Sequence, residues 1–294
     1  MEEFELFTYE SGLGATHGGS GDGPSYALNQ GLLSWLEKAQ GITIGARLIP
    51  DPEAAGTEKL ARIATLCEQL AQKIADCRLR QRIPLVIGGD HTSAIGTWSG
   101  VHQVSTPHGL GLIWIDAHMD CHTPKTSTSG AYHGMPLACL LGYGPSVLTH
   151  IMSAQAKILP AQLCLLGVRS FESGEAQLLK SLGVKIFTMA DIQNLGFSHC
   201  LALALDYVGQ TSHQIGLSVD LDALDPIDAP GVSCPVSQGI SAQDFLQALP
   251  LVAKQPNLVG VEVVEYNPHV DVAQRTGKLL LDIIKRLTEV RYAS

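Results

Sequence analysis

The sequence predicts an α/β fold, a three-layer sandwich with a mostly parallel central sheet and helices on both faces. Three observations carry that expectation. Short apolar runs recur along the chain without apolar/polar alternation, as strands buried on both faces do. The segments between them are long enough for crossover helices, and strand–helix alternation marks a parallel sheet. Four of the runs end in carboxylates or imidazoles, at the edge where such sheets bind ligands.

Taken in order, residues 12–28, "GLGATHGGSGDGPSYAL", form a Gly-rich loop running into a helix, and Gly23-Pro24 supplies the turn and the first helical position. Residues 57–80 place Leu60, Ile63, Leu66, Leu70, Ile74 and Cys77 at helical spacing, which predicts an amphipathic helix. The strand runs are "IPLVIGG" (83–89), "GLGLIWID" (109–116), "AQLCLLGV" (161–168), "VKIFTM" (184–189), "IGLSVDLD" (215–222) and "LVGVEVVE" (258–265). Crossover helices are expected at 131–143, 174–182, 241–253 and 273–289. There is no internal repeat, low-complexity tract or Pro/Ser linker, so residues 1–294 read as one domain.

The bulk chemistry narrows the function. A net charge of −9 with no basic stripe argues against nucleic-acid binding. No apolar run reaches the roughly 18 residues of a membrane span. The N-terminal "MEEFELFTYE" is acidic and lacks the apolar core of a secretory signal. The seven cysteines, 67, 77, 121, 139, 164, 200 and 234, are odd in number and contain no CxxC pair, a pattern that suits reduced thiols. A cytoplasmic protein is expected, with neither nucleic acid nor membrane as partner.

The strand ends carry the chemistry. Run 83–89 leads into Asp90 and His91, run 109–116 into "DAHMD" with Asp116, His118 and Asp120, run 215–222 into "DLDALDP" with Asp220, Asp222 and Asp225, and run 258–265 ends on Glu265. Residues two apart on an extended chain point the same way, so Asp116, His118 and Asp120 share a face if the backbone stays extended, as do Asp220 and Asp222. Carboxylates crowded at one edge repel unless cations sit among them. Two divalent ions balance four aspartates, add nothing to two neutral imidazoles, and leave a water between them free to ionise. The oxygen-rich donor set, without Cys, favours Mn2+ over a structural zinc, although Ni2+, Co2+ and Fe2+ are tolerated too. Helix N-capping would explain Asp90 or Asp225 alone, but not the three motifs together.

These motifs resemble the ureohydrolase family of arginase, agmatinase and formiminoglutamase. The resemblance runs from "GDGP" near residue 22 to "EYNP" at 265, and "DAHMDCHTPKTSTSGAYHGMPLA" (116–138) is closest to the arginase branch. It implies an arginase-like sandwich and metal ligands His91, Asp116, His118, Asp120, Asp220 and Asp222. Asp116 and Asp220 would bridge the ions; His91 and Asp120 would complete one site, His118 and Asp222 the other. The ions are usually Mn2+, and relatives are often trimers or hexamers, so a homo-oligomer is expected. The implied reaction is hydrolysis of a guanidino group to urea and an amine, with His133 as proton shuttle and Glu265 holding the guanidinium.

The loop between the metal motif and His133 is expected to choose the substrate. Ser129 matches the family's serine, and Glu172 stands where an Asp receives the α-ammonium group. His122 replaces Asn, Ala131 replaces a second Asn, Ser170 replaces an acidic residue, and Cys234 replaces Thr. With His122, Ser129 and Glu172 as the substrate-binding set, L-arginine is the first expectation. Formiminoglutamate, agmatine or another guanidino compound is the alternative. A dinuclear phosphoesterase would place its DxH motif before its GD motif, the reverse of the order here, and a single-zinc deacetylase would not need six ligands. A metal-dependent binding protein without turnover is the reading of another class.

Overall fold

The computed structural model describes residues 2–51, 57–105 and 109–292. β1 (Phe4–Tyr9) leads through a 3-10 turn at Gly18–Asp22 into α1 (Gly23–Ala27), α2 (Leu33–Leu36) and β2 (Ile42–Leu48). Then follow α3 (Lys59–Leu79), β3 (Ile83–Gly88), α4 (Ser93–Val104) and β4 (Leu110–Ile115). α5 (Pro136–Leu140) and α6 (Ser146–Thr149) precede β5 (Leu163–Val168), α7 (Ser173–Leu182), β6 (Lys185–Thr188), α8 (Met189–Leu195) and α9 (Phe197–Gly209). The chain continues through β7 (Gln214–Asp220), α10 (Ala242–Ala253), β8 (Leu258–Val264) and α11 (Arg275–Tyr292).

The strands form one parallel sheet in the order β2-β1-β3-β8-β7-β4-β5-β6. Alternate residues of each inner strand feed two different cores. Leu110, Leu112 and Trp114 of β4 join Ile63, Leu70 and Ile74 of α3 and Trp98 of α4 on one face. Ile113 and Ile115 join Phe245, Leu249 and Ile283 of α10 and α11 on the other. A strand buried on both sides has no use for polar alternation, which is why the runs read as continuous apolar stretches.

All six predicted strand runs are strands, to within two residues at each end. β1 and β2 were not anticipated. β1 is fully buried but carries Glu5 and Thr8, and β2 is a half-exposed edge strand, so neither is a clean apolar run. The helix expected at 131–143 is corrected. Tyr132–Gly134 is a single 3-10 turn and α5 starts only at Pro136, because Gly134 and Pro136 break the helix before it can form.

Topology does the positioning. His91, Asp116 and Glu265 follow β3, β4 and β8, Asp220 ends β7, and those four strands are neighbours in the middle of the sheet, in the order β3-β8-β7-β4. Groups up to 174 residues apart in the chain therefore meet at one edge, as in the His91 N–H donation to Glu265 Oε1.

Candidate active site

The two aspartate motifs use the same local device. Asp116 Oδ1 accepts from the His118 amide at 2.7 Å, and Asp220 Oδ1 accepts from the Asp222 amide at 2.9 Å. Each is a turn closed by the aspartate side chain over the residue two further on. This corrects the expectation of an extended face. β4 stops at Ile115, residues 221–223 form a 3-10 turn, and Asp120 has a positive φ of 47°. The donors converge because the chain turns, not because it stays straight.

They converge as two nests sharing a member. His91, Asp116, Asp120 and Asp220 form one, and Asp116, His118 and Asp222 the other, with ligand atoms within 4.8 Å of one another in each. His91 Nδ1 lies 3.0 Å from Asp120 Oδ2, 3.2 Å from Asp220 Oδ2 and 3.4 Å from Asp116 Oδ2. His118 Nδ1 lies 3.0 Å from Asp222 and 3.5 Å from Asp116.

Electrostatics say what the nests suit. Burial pushes Asp220 well up, and the Asp222 and Asp116 charges push it further. Burial and Asp116 lift Asp120 to about 7. Burial opposes charge on His91, yet the surrounding carboxylates win and raise it well above the ordinary value. Among the described residues, His91 Nδ1 is buried with no hydrogen-bond partner. A bare imidazole nitrogen among crowded carboxylate oxygens is a donor set for divalent cations, and these residues fit such ions.

A layer of polar side chains lies behind the nests, against His91. Its Nε2 faces Ser218 Oγ at 3.0 Å, and Ser218 donates to Glu262 Oε2 at 3.2 Å. Glu262 is fully buried and also receives Ser93 and Thr97 hydroxyls. A neutral ring that donates from Nε2 to Ser218 would turn the Nδ1 lone pair toward the carboxylates. The His91 ring also stacks on Trp114 at 4.2 Å, and Trp114 Nε1 donates to Asp116 Oδ2. Sequence reading missed Ser218 and Glu262. The signal was there: polar side chains inside otherwise apolar runs.

Above the nests lies a cleft of ≈ 180 Å³. His118, Asp120, Asp220, Asp222 and Glu265 line its floor, while His122, Ser129, His133 and Glu172 line it together with Ala131, Ser170 and Cys234. His91 and Asp116 are fully buried beneath. His133 Nδ1 is 3.0 Å from Glu265 Oε1, and Glu265 Oε2 is buried without a hydrogen-bond partner among the described residues. Burial works against charge on His133, but Glu265 outweighs it and raises the imidazole to about 10. At the rim, His122 Nε2 contacts Glu172 and lies 3.3 Å from Glu175, a buried carboxylate that also caps the Cys121 and Glu172 amides. Arg169, also unanticipated, donates to the carbonyls of Gly167, Asp222, Ala223 and Val236, tying the Asp222 turn to the Cys234 loop.

Two carboxylate–imidazole nests at the carboxyl edge of a parallel sheet, under a polar cleft, define a metal-dependent hydrolase. The chain belongs to the arginase family, whose model matches residues 15–288. It is 35% identical to the arginase of Bacillus caldovelox over 98% of both chains. Among solved structures it is similar to arginase from Bacillus cereus, at 33% identity and a TM-score of 0.91 over 98% of both chains. It is also similar to Entamoeba histolytica arginase in complex with L-ornithine, at 30% identity and a TM-score of 0.89 over 98% of both chains.

Proposed function

We propose that this protein hydrolyses L-arginine to urea and L-ornithine, as a single-domain, cytoplasmic, Mn2+-dependent homo-oligomer, a trimer or hexamer. The observation that carries the reading is the Glu265–His133 pair facing the cleft beside the paired nests. His91, Asp116, Asp120 and Asp220 would hold one ion, and Asp116, His118 and Asp222 the other, with Asp220 a second shared ligand by the family resemblance. When bound, the ions supply Lewis acidity that brings the pKa of a water toward neutrality. The oxygen-rich, thiol-free donor set supports Mn2+.

The chain's own groups do the rest. Glu265 Oε2, buried and unpaired, receives the guanidinium through a charge-assisted hydrogen bond. His133 Nδ1 is committed to Glu265, so Nε2 gives its proton to the departing amine nitrogen as the C–N bond breaks. Glu172 meets the α-ammonium group and Ser129 the α-carboxylate, with His122 narrowing the cleft beside them.

The test is product formation by Mn2+-loaded protein offered L-arginine, agmatine, guanidinobutyrate and formiminoglutamate in turn. Urea with ornithine from L-arginine alone is expected. Formamide from formiminoglutamate, or urea from agmatine only, would replace the substrate assignment.

A further inference from the structure

His133 sits in a three-residue turn, one residue ahead of α5. Its backbone is held from far away in the sequence. Gly14 O accepts from the amides of Tyr132, at 2.8 Å, and His133, at 3.2 Å. On its other side the same residue's N–H donates to Asp90 Oδ2 at 2.7 Å. Asp90 is fully buried, and its Oδ1 takes the Thr92 amide at 2.9 Å together with the Thr92 hydroxyl. The two segments are also joined along their backbones, Gly89 N–H to Tyr9 O at 2.7 Å and Asp90 N–H to Ser11 O at 2.9 Å. The fit excludes a side chain. A Cβ on Gly14 would lie 2.4 Å from Thr92 Cγ2 and 2.9 Å from Asp90 Oδ1.

We propose that Asp90, acting through Gly14, is the positioning residue that fixes where His133 delivers its proton. Glu265 orients the imidazole ring; Asp90 and Gly14 fix the backbone that carries it. Asp90 pins Gly14 from its N–H side, and this holds the Gly14 carbonyl, across one Cα, where the Tyr132 and His133 amides reach it. A displacement of about 1 Å at a reacting group costs on the order of 100-fold in rate, so a buried, multiply bonded anchor suits this task. The proposal rests on His133 acting as the acid described above.

The experiment is a cycle on the metal-loaded full chain: Asp90→Asn, His133→Ala and the double variant, each with kcat, KM and ions bound per chain. Asp90→Asn keeps the shape but weakens the acceptor. It is expected to lower kcat by about 10-fold or more, within the roughly 100-fold a misplaced group costs, with KM little changed and the ion count intact. In the His133→Ala background it is expected to have no further effect on kcat, because the group it positions is gone. An equal fall in both backgrounds, a change in KM alone, or loss of ions would overturn the proposal. If His133→Ala by itself leaves kcat unchanged, the acid role fails first and the proposal with it. Gly14→Ala attacks the same anchor from the other side and must give the same pattern, which covers the case in which Asp90→Asn does not fold.

Discussion

Glu265 holds His133 with one oxygen, at 3.0 Å from Nδ1, and leaves the other oxygen buried and unpaired. Its backbone sits in the left-handed region at φ 67°, with its amide on Gly89 O, and such a conformation in a non-glycine residue costs about 1–3 kcal/mol. The rest of the fold bears that cost to aim one carboxylate at both an imidazole and the cleft. His133→Ala is therefore expected to cut kcat by about 100-fold, the lower part of the range for general acid catalysis, and to change KM little. Glu265→Gln is expected to raise KM as well, since it neutralises the carboxylate proposed to hold the guanidinium. Steady-state kinetics of both variants check this, and an effect of His133→Ala on KM alone contradicts it.

Asp116 belongs to both nests, so its loss is felt twice. Asp116→Ala is expected to bind neither ion firmly, whereas His118→Ala loses mainly the ion it shares with Asp222. Elemental analysis after gel filtration distinguishes them. Exhaustive chelation is expected to abolish turnover and Mn2+ to restore it; two ions retained by Asp116→Ala would refute the bridging role.

Glu262 touches no ligand nest directly but acts on His91 through Ser218. Groups that orient a metal-ligating histidine are worth roughly 10–100-fold in metal affinity. Ser218→Ala is expected to weaken one ion by about that factor while leaving the His118 nest near normal. Stepwise competition with a chelator measures it, and unchanged affinity at both positions would exclude this route.

Buried thiols predict alkaline instability. Burial pushes Cys77, Cys139 and Cys164 up to about 12 in the fold, from an ordinary value of 9.0. A folded pKa above the unfolded one gives stability that is complete below pH 9.0 and is lost as pH rises toward about 12. Burial of Lys157, whose ammonium rests on the Thr149, Ser153 and Gln155 carbonyls, acts oppositely, lowering it to about 8 from 10.5. That group adds stability as pH rises between about 8 and 10.5, but it is one group against three. Under reducing conditions the unfolding free energy is expected to fall between pH 9.5 and 11, and Cys164→Ala to flatten the slope; a level profile in the parent protein would count against it.

How much of this was legible differs from element to element. The strand runs were readable because a strand buried on both faces needs apolar residues throughout, and "GLGLIWID" and "LVGVEVVE" obey that rule. β1 escaped because Glu5 and Thr8 interrupt it, and β2 because an edge strand exposes half its residues. The stretch 131–143 misled because its apolar content is helical in composition while Gly134 and Pro136 forbid a continuous helix. Ser218 and Glu262 passed unnoticed because a hydroxyl and a carboxylate inside an apolar run gain meaning only when His91 is seen beside them.

By itself the sequence determined which strands exist, that acidic and imidazole groups end four of them, and the ligand types, since these follow from local composition and spacing. Only the tertiary structure decided that β3, β8, β7 and β4 are neighbours, that turns rather than extended strands aim the aspartates, and that Gly14 and Asp90 reach His133. The reason is physical: spacing along a chain fixes directions over a few residues, whereas contacts across 76 or 174 residues are fixed by the order in which strands pair.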